Sequence, residues 1–312
     1  MTENVREKNA NLNHEKLKSF VQAHVQAKDA FSFSELALEQ HVEGLERILS
    51  EVGIPAGMDQ ETWLHYVAAP RINNEALTPW MLPFQEWLWD QVKDLDIPEK
   101  ILEVNILCGD EVTYRSSNAR TLPPLALKKG IYGRCGEEST FVTAALRSVG
   151  IPARQVYVPL WNHSDDNHAW VEAYDGQSWR WIGACEPEAI LDYGWFNAAA
   201  ARAPLVVSRT HLPWKSKVTR DLGIDRLGFS LRNEGPRYRE GAELSFQGAE
   251  GQGQLAIYLL NYSNLLSILS VDIPALESYS LNLGLGTYVI DFLQDEKHFS
   301  ASVQIDTAQK ME

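Results

Sequence analysis

The chain has 312 residues, 45% of them hydrophobic, and a formal net charge of −14. That length allows two domains with their own cores, and that charge disfavours nucleic acid or an anionic membrane as the main partner. Met1 to Lys16 is polar and no eighteen apolar residues run together, so the expectation is a cytoplasmic protein without a membrane span.

The first hundred residues read as helices. Leu17–Ala27 is amphipathic. Ser34–Val52 carries Leu36, Leu38, Val42, Leu45 and Ile48 near helical spacing and is stopped by Gly53 and Pro55. Glu61–Val67 and Pro83–Val92 contribute Trp63, Trp87 and Trp89, which at this spacing are expected in the core. Pro98 opens a helix over Ile101–Val112, with Ile101, Val104, Ile106 and Leu107 inward and Cys108 packed as a small apolar group. Thr121–Gly130 reads as an irregular lead-in. Then Tyr132-Gly133-Arg134-Cys135-Gly136 delivers a cysteine to the start of an apolar helix that Gly150 and Pro152 close.

Arg154–Pro159 alternates as a strand, and Trp161–Asn167 is a polar loop holding His163, Asp165 and Asp166. Ala169–Tyr174 and Ser178–Gly183 read as a hairpin turning at Asp175-Gly176, a pair suited to a type I′ turn. A strand is expected at Leu205–Ser208. The basic stretch Trp214–Glu240 (Lys215, Lys217, Arg220, Arg226, Arg232, Arg237, Arg239) reads as a solvated linker. Beyond Gly241 come six short alternating runs: Glu243–Gln247, Leu255–Leu260, Leu265–Val271, Ser280–Leu283, Thr287–Phe292 and Phe299–Ile305. The fold class is therefore α+β, without a repeating βαβ array. The expected organisation is a helical extension over 1–60, a core over 61–212, a linker over 213–240 and a small antiparallel β-sandwich over 241–307.

Cysteine on a helix and histidine on a strand is the layout of a thiol nucleophile and its base. At a helix N-terminus, Cys135 faces unpaired N–H groups and the positive end of the dipole, which favour the thiolate. His168 would supply the imidazole, and the backbone N–H of Cys135 the oxyanion contact. Glu137 and Glu138, in the first helical turn, are expected to point away from the sulfur. For the group that orients the histidine, Glu186 is favoured, with Asp165 and Asp166 as alternatives. A two-residue hairpin loop would set Gly183 opposite His168, and a loop two residues longer would set Cys185 there. Three cysteines (Cys108, Cys135, Cys185) suit a reducing compartment better than a disulfide framework. A zinc site from Cys135, Cys185, His163 and His168 has no CxxC pair or HExxH helix behind it, and no metal or other cofactor is expected.

Gly133-Arg134-Cys135-Gly136-Glu137-Glu138-Ser139 and Leu146-Arg147-Ser148-Val149-Gly150-Ile151-Pro152-Ala153-Arg154 resemble the transglutaminase-like superfamily. So do Asp166-Asn167-His168-Ala169-Trp170-Val171-Glu172 and Trp181-Ile182-Gly183-Ala184-Cys185-Glu186-Pro187-Glu188. The resemblance implies a papain-type core, with Cys135 as nucleophile and His168 as general base. The family acid belongs to a Trp-to-Asp-Pro motif on the next strand, near which Gly183 or Glu186 falls here. Arg71-Ile72-Asn73-Asn74-Glu75, Gly194-Trp195-Phe196, Tyr258-Leu259-Leu260-Asn261-Tyr262 and Gly284-Leu285-Gly286 extend the likeness to bacterial transglutaminase-domain proteins with a carboxypeptidase-regulatory-like β domain. The implied activity is cysteine-dependent acyl chemistry on a peptide or amide-containing small molecule, with water or an amine as acceptor. The rival is a papain-like scaffold that binds a peptide or partner protein without catalysis.

Overall fold

The computed structural model describes residues 12–29, 31–117, 121–130, 132–211, 220–246, 251–273, 279–307 and 310–311. Trp214, Lys215 and Lys217 of the basic stretch, and Gln247 at the end of an expected strand, lie outside them. The chain divides into two compact units: residues 1–155 with 169–194, and residues 156–168 with 195–312.

The first unit opens with α1 (His14–Ala23), capped by Asn13, and α2 (Glu35–Glu51), capped by Ser34. A short α3 (Gln60–Trp63) widens into one π-helical turn over Leu64–Ala68, followed by α4 (Met81–Val92). Asp96 and Glu99 cap α5 (Ile97–Glu111) reciprocally, with Pro98 in its first turn. Its buried stripe is Ile101, Val104, Asn105 and Cys108, whereas Ile106 is exposed and Leu107 only half-buried. Cys108 packs as expected, fully buried.

The lead-in expected to be irregular contains α6 (Pro124–Gly130), which starts on the second of two prolines, where a missing N–H costs nothing. Flanking it, β1 (Thr113–Tyr114) and β2 (Tyr132–Gly133) pair in parallel. Then comes α7 (Cys135–Ser148), buried from Gly136 onward. Phe141 on α7 meets Phe84 on α4 with ring centroids 5.2 Å apart, Trp80 lies 6.3 Å from Phe84, and Trp63 and Trp80 are both fully buried. Trp89 is buried and Trp87 half-buried.

Next in the chain are β3 (Ala153–Val158), β4 (His168–Tyr174) and β5 (Trp179–Ile182). β4 and β5 are antiparallel, with Tyr174 opposite Trp179 and Val171 opposite Ile182. Asp175-Gly176 therefore lies within a four-residue loop and not a two-residue turn. The carboxylate of Asp175 accepts from the backbone N–H groups of Gln177 and Ser178, both at 2.8 Å, and this local bonding selects the longer loop. Every residue of β4 is buried, including Glu172, which pairs with the buried Arg154 at 2.8 and 2.5 Å.

In the second unit, α8 (Asn197–Ala200) precedes a run of strands that pair antiparallel except for the last, which meets its neighbour in parallel. These are β6 (Val207–Thr210), β7 (Arg220–Asp225), β8 (Ser230–Asn233), β9 (Ala242–Ser245), β10 (Gly253–Asn261) and β11 (Asn264–Ile273). They are followed by β12 (Ser280–Leu283), β13 (Gly286–Gln294), β14 (Lys297–Ile305) and β15 (Lys310–Met311). The larger sheet runs β14-β13-β10-β11-β7-β8-β6, and the smaller β12-β9-β15. Leu244, Leu281 and Leu283 of the small sheet share one core with Leu255, Ile257, Val271 and Ile290 of the large one. The α+β class and the large C-terminal antiparallel sheet follow the sequence reading. The basic stretch does not: it supplies β7 and β8, with Arg232 fully buried and Arg239 donating to Pro204 O (2.9 Å) and Asn282 Oδ1 (2.8 Å).

Buried histidines make the first unit acid-sensitive. His41 packs on Trp80, with its Nε2 3.0 Å from Ala68 O, and burial pushes its pKa down to about 4. The folded pKa lies below the unfolded one, so the unfolded chain binds the extra proton, and stability is lost as pH falls from about 6.5 towards 4. From pH 7.5 to 5 this histidine should cost about 2 kcal/mol. Urea unfolding of His41→Gln at both pH values should show a smaller loss than wild type by that amount; equal losses would refute the assignment.

Candidate active site

Cys135 is the first residue of α7, and its position follows from the turn before it. At Gly133 a Cβ would come within 2.8 Å of Glu137 Cβ and 3.1 Å of Leu127 Cδ2, so only glycine lets the chain enter the helix this closely. Glu137 turns back, its Oε2 accepting from the backbone N–H of Arg134 at 3.0 Å. From β3, Gln155 Nε2 donates to Gly136 O (2.9 Å) and Ser139 Oγ (2.7 Å), while its Oε1 accepts from Asn73 at 2.7 Å. The start of the helix is thus held from three segments.

Burial pushes the Cys135 thiol up, outweighing the backbone N–H groups of Ala169 and Gly136 and the Arg134 charge, all of which act downward. The expected helix-terminus effect is present but does not decide the direction: a dipole worth up to about 2 kcal/mol is smaller than the desolvation of a thiolate. Glu138 also acts upward on the thiol by its charge, whereas Glu137 turns its carboxylate to the Arg134 N–H. Burial, followed by the charges of Glu186 and Glu137, pushes Glu138 itself up to about 8. It is mostly neutral at pH 7.

The strand leading from Trp179 ends at Ile182, and the chain then reverses. Glu186 N donates to Gly183 O at 3.3 Å, and Cys185 takes a left-handed φ of 58°. Asn105 on α5 clasps this turn, its Oδ1 accepting from Cys185 N (2.9 Å) and its Nδ2 donating to Gly183 O (2.8 Å). The pairing register would carry Cys185 opposite His168, but the ladder stops before reaching it. A Cβ at Gly183 would lie 2.5 Å from Glu186 Oε2. The Glu186 carboxylate therefore occupies the space that a side chain at 183 would fill. Asn105 escaped the sequence reading, although a polar residue inside the 101, 104, 105, 108 stripe was a usable signal.

His168 opens β4 and groups with the second unit, where its ring lies 4.6 Å from Trp195 and 5.2 Å from Phe196. Burial pushes its pKa down to about 4 against the upward pull of Asp166, so the imidazole is neutral at pH 7. Of the alternative acids, Asp166 acts on the imidazole by its charge while its Oδ1 accepts from Asn167 N at 2.8 Å, and Asp165 Oδ1 accepts from Asn261 Nδ2 at 3.2 Å. Among the described residues no three His, Cys, Asp or Glu side chains group as a metal site, and no helix is long and apolar enough to cross a membrane.

Gly183→Ala should evict the Glu186 carboxylate and cost about 1–3 kcal/mol of stability, as overpacking does. Urea unfolding checks the cost, and a crystal structure of the variant checks the displacement. An unchanged midpoint with Glu186 in place would show that the contact is not limiting.

Residues 90–199 match the family described as the transglutaminase-like superfamily. Among curated proteins, the peptide-N(4)-(N-acetyl-beta-glucosaminyl)asparagine amidase of Candida glabrata is 28% identical over 137 residues, covering 42% of this chain and 33% of that one. The chain thus matches about a third of that relative's length. Two solved structures are more distant. A candidate cysteine protease from Cytophaga hutchinsonii has a TM-score of 0.33 at 17% identity, covering 59% of this chain and 66% of that one. Red sea bream transglutaminase has a TM-score of 0.26 at 11% identity, covering 73% and 56%. Cys135, His168 and Glu186 all lie inside the stretch, residues 90–199, that matches the transglutaminase-like superfamily.

Proposed function

We propose that this protein transfers an acyl group from a peptide or amide through a thioester on Cys135, with His168 as general base and Glu186 as the group that orients it. The observation that carries the reading is the backbone N–H of Ala169 acting on the Cys135 sulfur, because Ala169 is bonded directly to His168. The family match and the amidase relative support amide substrates.

Both groups are uncharged at rest, so the base works during attack and not before it. As the thiol sulfur bonds to the carbonyl carbon, its proton passes to His168, and the carbonyl oxygen takes the negative charge. The backbone N–H of Cys135 is the donor proposed for that oxygen. Collapse of the intermediate breaks the C–N bond, and His168 returns the proton to the leaving amine. Water then yields the acid and an amine acceptor yields a new amide, each regenerating the thiol. A carboxylate beside the imidazolium stabilises it, which is the part given to Glu186.

The test is a single-turnover reaction with 4-nitrophenyl acetate, read as a nitrophenolate burst and as acetylated Cys135 by mass spectrometry. Cys135→Ala should abolish the burst, and His168→Ala should slow it by about 10²–10⁴-fold. Glu186→Gln should slow it by about tenfold to a hundredfold, the value of a hydrogen bond to a charged group. Added butylamine reveals the acceptor: faster deacylation with butyl-acetamide as product marks acyl transfer, and unchanged acetate release marks hydrolysis. A burst that persists without Cys135, or that is indifferent to His168, overturns catalysis and leaves the binding scaffold.

A further inference from the structure

His168 is preceded by the loop 161–167, and that loop is held by the far end of a strand pair about a hundred residues later in the chain. β10 and β11 meet at a tight tip, Asn261 opposite Asn264. Asn261 is 2% exposed, and its side-chain Nδ2 reaches three acceptors on the loop: Trp161 O at 3.3 Å, Ser164 O at 2.9 Å and Asp165 Oδ1 at 3.2 Å. Beside it, Tyr262 donates its hydroxyl to His163 O at 3.3 Å. The Tyr262 ring is 77% exposed and its backbone is left-handed at φ 53°. That backbone is the one a two-residue hairpin turn requires, and the turn presents the Tyr262 hydroxyl to the loop. The loop is closed on itself by Trp161 N donating to Asp166 O at 2.9 Å. One residue links this closed loop to His168, whose ring then rests on Trp195 and Phe196.

We propose that Asn261 and Tyr262 are positioning residues for His168, so that the C-terminal sheet is part of the acyl-transfer machinery and not a separate module. An amide suits this position because it can serve several carbonyl acceptors while carrying no charge of its own into a buried place. The proposal rests on the reading of His168 as the general base. With the loop fixed, the imidazole is held in one orientation. With the loop free, the same ring would sample many, and a misplacement of about 1 Å can cost about a hundredfold.

The experiment measures 4-nitrophenyl acetate single-turnover rates from pH 3.5 to 9 in the full chain, for wild type, His168→Ala, Asn261→Leu and Tyr262→Phe. Urea unfolding checks that each variant is folded. Asn261→Leu should lower the plateau rate about tenfold. It should also move the acid limb, set by His168 beside Asp166, up towards the ordinary histidine value of about 6.5 as the ring gains water. A purely structural residue would lower stability and leave that limb in place. If wild type and His168→Ala react alike, the function reading has failed. If they differ but Asn261→Leu keeps both the wild-type rate and limb, this proposal alone has failed. Should Asn261→Leu not fold, Tyr262→Phe decides at an exposed position: a loss of about threefold supports positioning, and a wild-type rate with a wild-type limb overturns it.

Discussion

A helix buried from its second residue onward has little water to satisfy its first turn, and that constraint at α7 organises what surrounds it. The donors and acceptors at its start must be met by protein. Glu137 meets Arg134 N, Gln155 meets Gly136 O, and Asn73 holds Gln155. The last two lie on segments distant in sequence, so the placement of Cys135 depends on tertiary structure and not on the glycine turn alone. The same burial sets the protonation states: it raises Cys135, lowers His168 and raises Glu138. A preformed thiolate–imidazolium pair needs the charges to be solvated or paired. Here the neutral forms are favoured at pH 7, so in the proposed reaction charge develops only during attack.

The second consequence concerns the acid. A strand residue directly before a turn is the usual place from which a carboxylate can be aimed, and here that place is a glycine. The turn Gly183–Glu186 is folded so that the carboxylate three residues on fills the volume beside the glycine, and the proposed acid is this one. This works because Cys185 accepts a left-handed backbone and Asn105 bonds both faces of the turn. The glycine and the glutamate are therefore one feature: a longer side chain at 183 would require the glutamate to leave. Glu138 lies close enough for its charge and that of Glu186 to repel, which helps keep Glu138 protonated.

How much of this was legible follows from how local each cause is. The α7 start, the burial of Cys108, and the order helix, strand, strand, strand rest on short-range pattern, and the structure has them where expected. The six C-terminal strands were legible for the same reason, since alternation is a property of neighbours. Register was not. Asp175-Gly176 is compatible with a two-residue turn, yet Asp175 also caps Gln177 and Ser178, and that second option wins. The basic stretch misled because charge density was read as exposure, whereas Arg232 and Arg239 are buried with partners. Asn105 and Asn261 were silent because an amide in a helix stripe or at a strand end has no periodicity of its own. Their partners lie about 80 and 100 residues away in sequence.

Those two asparagines and Gln155 share a chemical logic. Each is buried, each carries a neutral amide, and each fixes backbone next to a residue of the proposed site: Gln155 at Cys135, Asn105 at Glu186, Asn261 at the loop before His168. A charged side chain in any of these places would add a desolvation cost and shift the pKa values of the very groups it supports. An amide fixes position and leaves the electrostatics to the reacting groups. The proposed site thereby separates two roles that a lysine or an aspartate would combine. Neutral side chains set geometry from three distant parts of the chain, while burial and the few charges nearby set protonation.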